Sequence, residues 1–170
     1  MCYNFEIIKN SRLPEEKLKE IIKLKNQSWQ YPFSSQKNWI KNNLCDEDVH
    51  LLMYNENRLV GYLDIVEVSV SLDDKTIEML GIGNVCVDKS FLKQGLGKKL
   101  VLRANQEITN KNKTGVLLCH ENLVAFYKKC GWSLVKYSKL KINQEENSCY
   151  IMFLQENEIL VNEVLINRAF

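Results

Sequence analysis

Val85-Cys86-Val87-Asp88-Lys89-Ser90-Phe91-Leu92-Lys93-Gln94-Gly95-Leu96-Gly97-Lys98-Lys99-Leu100 joins three local designs in sixteen residues. An apolar, β-type run ends in a charged turn, passes through Gln-Gly-Leu-Gly and enters an amphipathic helix. Such a turn aims several backbone N–H groups at one point, where the helix dipole is positive, and so forms a cradle for phosphate groups. Glycine lacks Cβ, which lets a ligand lie against the backbone itself. Leu96, Leu100, Val101, Ala104 and Ile108 fall on one helical face, while Lys98, Lys99, Arg103, Asn105 and Gln106 face elsewhere. Lys93, Lys98 and Lys99 add positive charge beside the cradle. Taken alone, these residues fit a plain glycine-softened turn with a solvated basic rim equally well.

Two familiar phosphate motifs do not fit. A P-loop requires glycine five residues before the Gly-Lys pair and Ser or Thr after it; Leu92 and Lys99 occupy those places. A dinucleotide fingerprint requires a third small residue three after the second glycine, where Leu100 stands. The Gly81-Ile82-Gly83 pair opens no helix, because Cys86 follows inside a strand.

A second block lies downstream. Gly115-Val116-Leu117-Leu118-Cys119 reads as a short buried strand, and Glu121 to Trp132 as a short helix that ends on Gly131, a residue suited to the left-handed position closing a helix. Val-x-Val-Asp, Gln94-Gly95-Leu96-Gly97 and then Tyr127 with Gly131-Trp132, in this order, resemble the GNAT N-acetyltransferase superfamily. Its loop pattern is Gln/Arg-x-x-Gly-x-Gly/Ala, so Leu92 departs from it while Gln94, Gly95 and Gly97 match. The ending Val164 to Phe170 and the Leu118–Trp132 block also resemble aminoglycoside 2′-N-acetyltransferases and their bacterial relatives.

The resemblance implies an α/β (α+β) fold, with a mixed, mostly antiparallel sheet, helices on both faces and a strand splay that binds acyl-CoA. It implies that the backbone of Val85, Cys86 and Val87 pairs with pantetheine. Lys93, Gln94, Gly95, Leu96, Gly97 and Lys98 would hold the pyrophosphate, with Asn122 as a further acetyl-CoA contact. The implied reaction is direct transfer of acetyl from acetyl-CoA to a primary amine, without a metal. Tyr127 matches the general acid that protonates the departing thiolate, and a backbone N–H near Val85 would bind the oxyanion. In many relatives a Glu lies on the strand before the loop; here that place is Gly83, followed by Asn84. Glu78, farther back on the strand, is the expected base, acting through water, with Asn84 polarising it or contacting the amine. Asp64 and Glu67 on the neighbouring hairpin arm and His120 at the end of the Leu117 strand are the other candidate bases, set against their readings as solvated strand carboxylates and a structural histidine. The acceptor stays open between a small amine, an aminoglycoside-like one and a peptide or protein amine. A non-catalytic acyl-CoA sensor or assembly module of the same fold is the alternative.

Composition agrees with this class. The chain has 170 residues, 45% hydrophobic and 26% charged, with a formal charge of +2, as in one ordinary globular domain (1–170) without a polyanion footprint. Nucleic acid and membrane are therefore not expected partners, and the chain is expected to act as a monomer or homodimer. Cys2, Cys45, Cys86, Cys119, Cys130 and Cys149 form no Cys-x-x-Cys pair, and the segment from Met1 to Phe5 lacks a leader pattern. Free thiols in a cytoplasmic protein are expected.

Periodicity and turn residues predict the order βααβββαβαββ. Strands are expected at Tyr3–Ile8, Val49–Tyr54, Leu59–Val70 and Thr76–Val87, then around Leu117, Leu134 and Ile151. Pro14 marks the start of the first helix, Trp29 to Phe33 breaks it, and Ser35 to Asn43 forms the second. The apolar segment Glu158 to Ile166 extends past the last expected strand; it could cover an edge, build the acceptor pocket or pair with another subunit.

Overall fold

A computed structural model describes residues 3–155 and 157–170. The chain packs as two compact units, one comprising the chain up to Val66, Gly83–Ala104 and Phe170, the other Glu67–Ile82 and Asn105–Ala169. Strands β3 (Arg58–Leu72) and β4 (Lys75–Val87) and helix α3 (Leu96–Asn110) each contribute to both.

In the first unit, β2 (Val49–Asn55) is the middle strand of an antiparallel set. It pairs with β1 (Tyr3–Lys9) from Tyr3↔Asn55 to Lys9↔Val49, and with β3 from Val49↔Ile65 to Asn55↔Arg58. Leu59 to Val66 of β3 are all buried, so this half of the strand is covered on both faces and lacks the polar alternation of a surface strand. Helix α1 (Glu15–Lys25) begins directly after Pro14 and buries Leu18, Ile21, Ile22, Leu24 and Lys25. The 3.6-residue period puts its final lysine on the same side as Leu18 and Ile21. Helix α2 (Phe33–Asn43) follows Pro32 and buries Gln36 and Ile40. The core gathers Ile21 and Leu24 of α1 with Leu52, Tyr54, Leu59, Tyr62 and Cys86. Each large apolar side chain taken out of water here contributes on the order of 1.5–3 kcal/mol.

In the second unit, β5 (Gly115–Cys119) pairs antiparallel with β9 (Tyr150–Leu154), which also pairs with β6 (Trp132–Lys136). Pairing of β5 with β4 is parallel and confined to Leu80↔Gly115 and Gly81↔Val116. Between β5 and β6 lies α4 (Glu121–Lys128), and Gly131 after it has φ 90°, the left-handed terminator expected from the sequence. Trp132 is buried, its indole N–H donating to Asn105 Oδ1 at 3.0 Å.

The tail adds strands that the predicted order lacks: β7 (Lys139–Ile142), β8 (Glu145–Asn147), β10 (Ile159–Leu160) and β11 (Glu163–Ile166). Strand β11 pairs antiparallel with β3 (Val164↔Leu72 to Ile166↔Val70) and parallel with β7. The apolar tail thus covers an edge of its own unit, one of the three roles open from sequence. Asp73, left-handed at φ 50° in the β3–β4 turn, secures it by accepting the N–H groups of Asn162 and Glu163.

Candidate functional site

The loop after β4 is made by backbone. Asp88 ends the strand; it is 4% exposed, and its N–H donates to the Val60 carbonyl at 2.9 Å. Its Oδ1 accepts the N–H and hydroxyl of Ser90, while Oδ2 accepts from Arg58 at 2.6 Å and from Gln27 at 3.2 Å. Burial alone would raise this carboxyl's pKa, but the hydrogen bonds from Ser90, Arg58 and Gln27 outweigh it and hold the group well below the usual range. A permanently ionised Asp88 therefore anchors the start of the loop. Lys93 (φ 60°) and Gly95 (φ 79°) are both left-handed, and the Lys99 N–H to Gly95 carbonyl bond at 3.1 Å opens α3. A Cβ on Gly95 would meet nothing within 4 Å, so glycine is required there by its dihedral angle rather than by crowding. Lys93, Gln94 and Lys98 are exposed, Gly97 is half-buried and Leu96 is buried beneath them. Val85 and Val87 are half-buried, whereas the Cys86 side chain enters the core and burial pushes its thiol up to about 12. Leu92, where the loop pattern calls for Gln or Arg, is 54% exposed.

Within the same unit, α1, α2 and β4 wall a cavity of about 340 Å³. Trp29, Tyr31, Ser35 and Trp39 form its sides, with Lys25, Gln36 and Asn84 supplying polar groups. Lys25 is 4% exposed, its Nζ lying 4.8 Å from the centroid of the Trp39 ring. Burial lowers its pKa, and the charge of Asp64 partly opposes the shift. Gln36 Nε2 is surrounded by three oxygens, Asn26 Oδ1 and the Trp29 and Tyr31 carbonyls, at 3.2–3.5 Å. That environment fixes which end of the amide is nitrogen, and the buried Oε1 is left without a partner.

Asn84 is left-handed (φ 51°), a conformation that asparagine tolerates better than most side chains. Its Nδ2 donates to Asp64 Oδ2 at 2.6 Å, which fixes the amide's orientation and leaves its carbonyl oxygen and one N–H for other partners. Asp64 itself is fully buried, with no hydrogen-bond partner on Oδ1. Burial raises its proton affinity, against the opposing effect of the Asn84 bond and the Lys25 charge. This corrects the reading of Asp64 as a solvated strand residue. Alternation fails in β3 because both faces of this half are covered. Gly83 sits beside Asp64: a Cβ there would lie 2.7 Å from Asp64 Oδ1 and 2.7 Å from the Phe170 carbonyl carbon.

Tyr127, Asn122 and Glu78 belong to the second unit. Tyr127 is buried on α4, edge-on to Phe126 at 5.0 Å between ring centroids, and burial raises its phenol well above the ordinary value. It is therefore protonated at neutral pH. Asn122 is exposed on the same helix, and His120 precedes it, also exposed. Glu78 is exposed on β4 and accepts the Ser69 hydroxyl at 2.5 Å. Glu67 is exposed as well. Sequence reasoning therefore located the loop and Asn84 but missed Lys25, Gln36 and Trp39 as lining residues. The one signal for Lys25 was its helical spacing from Leu18 and Ile21.

Cys86, Cys119 and Cys130 are buried, Cys149 half-buried and Cys45 exposed, all as free thiols; Cys2 lies outside the described residues. Among the described residues no group of three His, Cys, Asp or Glu side chains is placed to hold a metal, and no helix is long and apolar enough to cross a membrane.

A family model for the acetyltransferase (GNAT) domain matches residues 9–135. The chain belongs to the GNAT acetyltransferase family and is an acyl-CoA-dependent N-acyltransferase. Solved structures share its fold. Escherichia coli ElaA is 21% identical, with a TM-score of 0.62 over 89% of this chain and 98% of that one. An acyl-CoA N-acyltransferase from Pseudomonas aeruginosa is 18% identical, with a TM-score of 0.66 over 89% and 99%. An aminoglycoside 6′-N-acetyltransferase complexed with coenzyme A is 16% identical, with a TM-score of 0.64 over 87% and 95%.

Proposed function

We propose that the protein transfers acetyl from acetyl-CoA directly to a primary amine. The observation that carries this reading is the loop from Asp88 to Lys99. It has an ionised anchor, two left-handed residues and a helix N-terminus, and Gln94, Gly95 and Gly97 stand where the family's pyrophosphate loop has them. In this reading Val85, Cys86 and Val87 pair with pantetheine through their backbone, and Lys93 to Lys98 and Asn122 hold the rest of the donor. Tyr127 protonates the leaving thiolate, a role that suits a buried phenol kept neutral at physiological pH. Asn84, its amino group held by Asp64, orients the acceptor N–H through its carbonyl oxygen.

The ammonium must lose a proton before it can attack. Glu78 is assigned that proton through water. The exposed position of its carboxylate makes the final acceptor bulk solvent. Full activity of Glu78→Gln across pH would move the role to Asp64, whose free Oδ1 and raised proton affinity suit it.

Thiol release from acetyl-CoA over a panel of amines, run beside thermal stabilisation by acetyl-CoA, tests the whole reading. Stabilisation with release is expected. Stabilisation without release for any amine would leave a binding module instead. Tyr127→Phe should lower turnover by about a hundredfold or more, within the range of general acid catalysis, and leave acetyl-CoA stabilisation unchanged; unaltered turnover refutes the acid role.

A further inference from the structure

The cavity between α1 and α2 is not chemically neutral. Its walls are aromatic, yet three polar groups, Lys25, Gln36 and Asn84, face it, and one of them has a buried oxygen without a partner. Lys25 Nζ has the Trp39 ring on one side, and no carboxylate among the described residues lies within ion-pair distance of it. Gln36 Oε1 is buried with no donor. Asn84 has one N–H engaged by Asp64, which leaves its carbonyl oxygen and a second N–H for a ligand. A buried ammonium against an aromatic face, with the Asp64 charge acting on it only from beyond ion-pair distance, is costly to keep, and an orphaned amide oxygen leaves a desolvation penalty unrelieved. One ligand suits all three: a molecule with an anionic group for Lys25, N–H donors for Gln36 and Asn84, and an apolar or planar body to lie between Trp29, Tyr31 and Trp39.

We infer that this pocket selects acceptor amines that also carry a carboxylate, of the amino-acid kind, and rejects polycations. The charge sign carries the selection. A polyamine or aminoglycoside would bring like charge to Lys25, itself 4% exposed, whereas a carboxylate gives the ammonium a charge-assisted hydrogen bond. The inference names the acceptor class of the acetyl transfer proposed above and rests on it for its biological sense, but it is tested by binding alone.

The experiment is isothermal titration calorimetry with CoA present, so that no transfer takes place. Three matched pairs are titrated, phenylalanine against phenethylamine, tryptophan against tryptamine and leucine against isoamylamine, with kanamycin as the polycation. The wild-type protein should bind at least one acid about tenfold or more tightly than its decarboxylated partner, the fold-change expected for one charge-assisted bond, and kanamycin more weakly than either. Lys25→Met should reduce the ratio to near one, and Lys25→Arg should keep it above one. Equal or inverted affinities in the wild type, a ratio that survives Lys25→Met, or no saturable binding of any of the three acids would each overturn the inference. The wild-type comparison decides even if Lys25→Met fails to fold. Thiol release with the same amines separates the two proposals. Selective binding without release removes acetyl transfer and keeps the pocket's selectivity, while release without selectivity does the reverse.

Discussion

The Asp88–Lys99 loop and the cavity walled by α1, α2 and β4, proposed above to hold the donor and the acceptor, occupy the same unit but are built from opposite materials. From Asp88 to Lys99 the working parts are peptide groups, set by two left-handed residues and one ionised anchor, and most side chains there are exposed. Around the cavity the working parts are side chains, buried and held by particular partners: Lys25 on Trp39, Gln36 on three oxygens, Asn84 on Asp64. A backbone site accepts one ligand shape whatever the surrounding residues, which suits a fixed donor. A side-chain site can be rewritten position by position, which suits an acceptor that varies between relatives.

Acid should weaken the unit that carries both. His50 lies fully buried on β2, bonded to Tyr62 at 2.8 Å and Asn10 at 3.1 Å, and burial together with the Lys25 charge lowers its pKa from 6.5 to about 4. The unfolded chain binds the proton first, so stability is lost as pH falls below 6.5 and the loss is complete near 4. The expected loss is about 3 kcal/mol, from 1.36 kcal/mol per pKa unit. Urea unfolding at stepped pH measures it, and His50→Gln should flatten the profile in that window. A profile unchanged by this substitution would remove His50 as the cause.

Gly83→Ala comes next. A methyl group 2.7 Å from Asp64 Oδ1 and from a backbone carbon overpacks a site with little freedom to move, at a cost of about 1–3 kcal/mol. A lowered melting temperature with acetyl-CoA binding intact would sharpen the contrast. Gly95→Ala should do the opposite. Space is open there, so the penalty is the left-handed dihedral alone, about 1–2 kcal/mol. It should appear as roughly tenfold weaker acetyl-CoA affinity, with nothing lost at the acceptor cavity. The smallest effect is expected from Leu92→Gln. Restoring the family's residue at an exposed position should tighten acetyl-CoA binding by no more than about threefold, the scale of a solvent-exposed hydrogen bond.

The same contrast explains what could be read from the chain. The loop is contiguous, so its glycines, its basic rim and the amphipathic helix after it were all visible within one window, and each is found where periodicity put it. Gly131 was legible for the same reason. The cavity has no window. Lys25 ends one helix, Gln36 and Trp39 lie on another, and Asp64 and Asn84 lie on different strands, so no local pattern joins them. Lys25 and Asp64 carry charge, and charge suggests solvent unless the covering elements are known. The four missed tail strands failed differently. Lys139-Leu140-Lys141-Ile142 and Glu145-Glu146-Asn147 are short and largely charged, while apolar β10 and β11 find their partners in β6, β3 and β7, well back along the chain.

Gly83 and Asp64 also bear on ancestry. Position 83 is where many relatives carry a glutamate, yet here any side chain would strike the Asp64 carboxylate. With Asp64 placed as it is, a side chain at 83 would have no room without a shift of that carboxylate. A relative with glutamate at 83 is therefore expected to carry a different residue, or a differently placed one, at 64. Aligned homologues should show this as covariation, with small residues at 83 accompanying an acid at 64 and shorter or neutral side chains at 64 wherever 83 is acidic.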